Sequence, residues 1–182
     1  MKFTNLFFIL FILVVTEPVL AREQLLFTNN ADSNNKDLSS ILYTLKLQND
    51  VVIAFRVFSN SSSENNNNYF VLTKLSNHYG AYRIKEEMMK FDLSQEAMNT
   101  IWLNFEQNGL LDMKNEDELI DVCPKKYHIY NAHFYEFIIM DKGKTKRLSY
   151  YYPEHYDEVC PGMSERKKII NSVAIIVKLG IN

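Results

Sequence analysis

The segment Asp141-Lys142-Gly143-Lys144 does most to limit what this chain can become. It lies between two aromatic-rich runs, residues 127–140 and 145–152. A two-residue Lys-Gly tip supplies the left-handed backbone that joins two antiparallel strands with a matching twist. The turn also sets register, so that Asp141 faces Lys144. Extended outward, that register brings Cys160 opposite residue 125, two positions from Cys123. Pro124 and Pro153 weaken ladder continuity before that point is reached.

Three more strands are expected upstream. Residues 51–58 (VVIAFRVF) and 69–75 (YFVLTKL) are β-branched and aromatic. The tract between them, residues 59–68 (SNSSSENNNN), holds no apolar group to bury and reads as a mobile hairpin loop. Its Asn60-Ser61-Ser62 is an N-glycosylation sequon, which has meaning in a host that secretes through an endoplasmic reticulum. Residues 76–80 read as a turn and 81–91 as the third strand. Two amphipathic helices are clear. One spans residues 95–108, with Ser94 as N-cap and Asn108-Gly109 as its stop. The other runs from Ser164 to a stop at Gly180, with Ile169, Ile170, Val173, Ile176 and Val177 in the helical repeat. A short first helix over residues 37–47 precedes them. Hairpins with helices of this kind specify an α+β fold, an antiparallel sheet of about five strands with two main amphipathic helices on one face.

The N-terminus carries an address. Lys2 is followed by an apolar run over residues 6–15, then Glu17-Pro18 and Val19-Leu20-Ala21. That is the layout of a secretory signal peptide over residues 1–21, and its apolar run is too short to span a bilayer. The expected organisation is therefore residues 1–21 as signal, 22–48 as a flexible N-terminus containing the short helix, and 49–182 as one α+β domain. No transmembrane segment is expected after signal removal, and the expected location is secreted or extracytoplasmic. In an oxidising compartment Cys123 and Cys160, the only cysteines, are expected to form a disulfide.

A formal net charge of -2 gives no footprint for nucleic-acid binding. No nucleophile elbow, zinc-protease helix motif, phosphate loop or dinucleotide fingerprint is present. Catalytic residues, metal ligands and cofactors are accordingly assigned to none. His128 and His133 stand at a spacing that points their rings to opposite faces of a strand. The dense aromatic cluster Tyr150 to Tyr156 divides between core and surface. Tyr151 and Tyr156, with Tyr79 in the 76–80 turn, are the expected binding patch.

Residues 69–177 resemble the emfourin-like inhibitors of thermolysin-type metalloproteases. The resemblance lies in element order: a strand, the Ser76-Asn77-His78-Tyr79-Gly80 turn, a strand, Asp92-Leu93-Ser94 with Glu96-Ala97 opening a helix, a hairpin and a closing helix. It implies a two-layer α+β domain that inhibits an extracellular protease, and no inhibitory residue is carried over from it. The expectation is a non-enzymatic binding or inhibitor-type protein with an extracellular protein as partner. A secreted hydrolase with dispersed His and carboxylate residues, or a structural surface domain, is the alternative.

Overall fold

A computed structural model describes residues 35–59, 68–85, 87–119 and 129–179. The chain divides into two compact units, residues 1–40 and 41–182. Of the first, only residues 35–40 are described, as the start of helix α1, Asn35–Leu47. The second unit is an α+β fold on a six-stranded, wholly antiparallel sheet. Its strands are β1 (Val51–Ser59), β2 (Tyr69–Leu75), β3 (His78–Ile84), β4 (Met88–Lys90), β5 (His133–Asp141) and β6 (Lys144–Tyr151). Their spatial order is β4-β3-β2-β1-β5-β6. Three further helices follow the first: α2 (Gln95–Gln107), α3 (Pro153–Val159) and α4 (Ser164–Lys178).

The β5–β6 hairpin has the expected register, with Asp141 opposite Lys144 and Phe134 opposite Tyr151. Lys142 (φ 47°) and Gly143 (φ 70°) are both left-handed, as a two-residue turn of this type requires. The ladder stops at Tyr151, so register alone does not carry the chain to Cys160. Instead α3, a helix not expected from the sequence, intervenes.

The expected third strand is two strands. The turn before it is only Ser76-Asn77, with Ser76 left-handed (φ 53°) and its N–H donating to Asp50 Oδ2 at 2.9 Å. Pairing therefore begins at His78, which faces Leu75. Gly80 lies within this strand, not in a turn, and faces Thr73. A Cβ there would stand 2.6 Å from Thr73 Oγ1, so the position needs glycine for close approach. The run breaks after Ile84 and resumes as β4, whose three residues are all exposed. This break accounts for six strands where about five were expected.

One sheet face carries the main apolar core. Ile53, Phe55, Leu72, Phe137, Ile139, Leu148 and Tyr150 meet Met98, Ile101, Trp102 and Phe105 of α2 and Ile169, Val173 and Ile176 of α4 in one core. Ser94 caps α2 as expected, its Oγ accepting the Ala97 N–H at 3.1 Å. Gly109 (φ 63°) ends the helix and sends Leu110, fully buried, back into the core. On the opposite face Val52, Ala54, Val71, Ile138 and Met140 are buried as well.

The β6 edge is sealed. Side-chain oxygens of the segment after α2 accept its outward N–H groups: Asn115 Oδ1 from Ser149 at 2.6 Å and Glu116 Oε2 from Tyr151 at 2.9 Å. Lys146 Nζ donates to the Met113 carbonyl and the Tyr150 hydroxyl to that of Lys114. Covering an edge in this way removes a template for pairing with another chain.

Candidate binding surface

The surface at the foot of the β5–β6 hairpin is built by one unusual residue. Tyr152 follows the last strand residue with φ 41° and ψ 55°, a conformation that costs a bulky side chain about 1–2 kcal/mol. Its N–H still donates to the His133 carbonyl at 2.9 Å, closing the ladder. The left-handed step turns the chain off the sheet, and Pro153 then opens α3 at the position where a missing N–H is harmless. Such strained backbone persists where the surroundings hold it, and it concentrates at functional sites.

The step sets Glu154 over the start of β5. Its carboxylate accepts the Tyr135 O–H through Oε1 and stands 3.0 Å from His133 Nε2 through Oε2. Burial and the bond to Glu154 push the Tyr135 phenol well above its ordinary value. Four rings adjoin one another here. His133 lies 4.9 Å from Tyr135 and edge-on to Tyr152 at 4.8 Å; Tyr152 stacks on His155 at 5.3 Å. Glu154 is 40% exposed and His133 30%, so a partner can reach both. Chemically, the site offers ring faces, imidazole nitrogens and a carboxylate on a scaffold fixed by main-chain hydrogen bonds.

The expected patch of Tyr79, Tyr151 and Tyr156 is not brought together. Tyr156 is 1% exposed and belongs to the interior, where the Arg166 guanidinium lies over its ring at 5.2 Å. Tyr151 is half-buried; its hydroxyl accepts the Ile129 N–H at 2.7 Å and donates to the Ile129 carbonyl. Tyr79 stacks on Trp102 four strands away on the other sheet face, with Lys74 Nζ near both rings. The residue that the patch should have contained is Tyr152. Proline at a helix start is the one partial signal in Tyr-Tyr-Tyr-Pro; a residue before proline is ordinarily extended, so the left-handed Tyr152 was not readable from it.

Cys160 ends α3, its N–H donating to the Tyr156 carbonyl at 3.1 Å, and no cysteine among the described residues is free. Cys123, Asn60 and His128 lie outside the described residues. Among the described residues no group of three or more His, Cys, Asp or Glu side chains is placed to hold a metal ion. No helix among them is long and apolar enough to cross a membrane.

No family model, no curated protein and no solved structure matches this chain.

Proposed function

We propose that this chain is an exported binding protein whose partner is an extracellular protein. The observation that carries the reading is the strained Tyr152, held with His133, Glu154 and His155 as one partly exposed group at the foot of the hairpin. Tyrosine gives large contact area at low entropy cost, which is why it is enriched where proteins meet. The leader-like residues 1–21 supply the compartment, and a Cys123–Cys160 disulfide belongs to the same proposal. The resemblance of residues 69–177 to emfourin-like inhibitors supports an extracellular protease as the partner, with this chain as its inhibitor.

The test is capture of partners from the medium of a secreting culture by the full-length protein, beside Tyr152→Ala and the Tyr152→Ala/His155→Ala double variant. Loss of the captured protein in both variants is the expected result. Equal capture by all three would place the interface elsewhere. The His133–Glu154 contact favours a second reading, a hydrolase using that pair for proton transfer. Turnover of a peptide or glycoside panel that Glu154→Gln abolishes would establish it instead.

A further inference from the structure

On the sheet face away from α2 and α4, a buried carboxylate holds more positive charge than it needs. Glu136, only 6% exposed, lies 2.6 Å from Arg56 Nε and 3.4 Å from Arg147 Nε, and it accepts the Tyr69 O–H at 2.7 Å. One carboxylate facing two guanidiniums leaves a local surplus of one positive charge. Strand register produces the arrangement: Arg56 is the direct cross-strand partner of Glu136 on β1, and Arg147 sits diagonally to it on β6.

The mode of contact matters. Both arginines meet Glu136 through Nε, side-on, and neither spends its terminal nitrogens on it. Those terminal nitrogens form no hydrogen bond among the described residues. Arg147 is 49% exposed and Arg56 is 21% exposed. Arg56 is further fixed by the rings beneath it, Phe58 at 4.5 Å and Tyr69 at 4.8 Å. Two guanidiniums with unspent N–H donors and a net positive charge offer what a sulfate or phosphate oxyanion binds.

We propose that Arg56 and Arg147, braced by Glu136, form a binding site for a sulfate or phosphate group. The anion sits against the outward edges of the two guanidiniums and replaces the water there. The site is separate from the Tyr152 surface and does not depend on it.

The experiment is calorimetric titration of the full-length protein with sodium sulfate and with sodium phosphate at fixed ionic strength. The variants are Arg147→Gln and, as a control on general screening, Lys90→Gln, a cation exposed on β4 of the same sheet. Saturable binding of either anion, weakened about tenfold or more by Arg147→Gln and unchanged by Lys90→Gln, is expected, because a charged hydrogen bond is worth about 1.5–3 kcal/mol. Sulfate favouring points to a sulfated ligand and phosphate favouring to a phosphorylated one. No saturable binding, or equal weakening by both variants, overturns the proposal. Circular dichroism of Arg147→Gln confirms that the fold is kept, as expected for a half-exposed side chain.

Discussion

Glu116 and Glu136 are both buried, both beside arginine, and their surroundings put them to different uses. Glu116 stands 3.7 Å from Arg166, whose side chain is wholly enclosed. Its other oxygen accepts the Tyr151 N–H, and Arg166 donates to the Tyr156 carbonyl. Glu116 and Arg166 face inward and tie the β6 edge, α3 and α4 to one another. Glu136 has partners whose far ends face water. Enclosed charge fixes a junction, because leaving it unmatched is costly. Charge that is anchored inside but opens outward can also recognise something.

The largest expected effect comes from breaking the enclosed region. Glu116→Ala removes a counter-charge from Arg166 and an acceptor from β6, and should lower unfolding free energy by about 3–5 kcal/mol. Glu136→Ala should cost less, roughly 1–3 kcal/mol, since Arg147 is already half-exposed and can turn to solvent. Denaturant unfolding of the two variants measures both, and equal losses would erase the distinction.

Cys160 lies beside the enclosed region, at the end of the helix that carries Tyr156. If it pairs with Cys123 it closes a loop of about 38 residues, and Cys160→Ser should cost up to roughly 4 kcal/mol. Mass spectrometry without reduction should show the linked peptides; two free thiols would remove this part of the account.

Alkali should weaken both regions. Burial holds the phenols of Tyr69, beside Glu136, and Tyr150, beside Glu116, well above the ordinary 10.0, as it does Tyr135. A raised folded pKa stabilises fully below the unfolded value and is lost as pH climbs toward the folded one. Stability should therefore fall above pH 10, by about 1.4 kcal/mol per pH unit for each such tyrosine. Lys146, whose burial lowers its pKa, has the opposite sign, but its contribution is complete by about pH 10.5 and leaves the loss at higher pH in place. Tyrosinate absorbance against pH checks it: these tyrosines should ionise only as the protein unfolds.

The smallest effect is the most discriminating. Arg147→Gln should change stability by less than about 1 kcal/mol, because Arg147 is half-exposed and Glu136 keeps Arg56 as its close partner. A larger loss would make Arg147 part of the framework and not of a site.

Much of the fold was legible because it is locally encoded. The Ser94 cap, the left-handed Gly109 and the 3.6-residue repeat lie within one helix, and the Lys142-Gly143 turn fixes a whole hairpin. The β3–β4 break was only partly legible: residues 81–91 alternate imperfectly, and the three charged residues 85–87 stand between Ile84 and Met88. The helix α3 was not legible, because Tyr152 adopts a backbone conformation that sequence assigns to glycine or asparagine. The acidic stretch after α2 looks like a solvated loop; only the β6 edge explains why Asn115 and Glu116 are there. The Glu136 cluster depends on β1 pairing with β5, which joins residues 80 apart in the chain. The Glu136 cluster carries no contiguous motif, and His133 joins Tyr152, Glu154 and His155 only because β5 pairs with β6.

The contrast between enclosed and open charge can be measured on the arginines themselves. Nuclear magnetic resonance of the guanidinium groups during a sulfate titration at fixed ionic strength reports Arg56, Arg147 and Arg166 in one experiment. Saturable shifts at Arg56 and Arg147, with Arg166 unmoved, are predicted. Shifts that fail to saturate, or that reach Arg166 equally, would contradict the account.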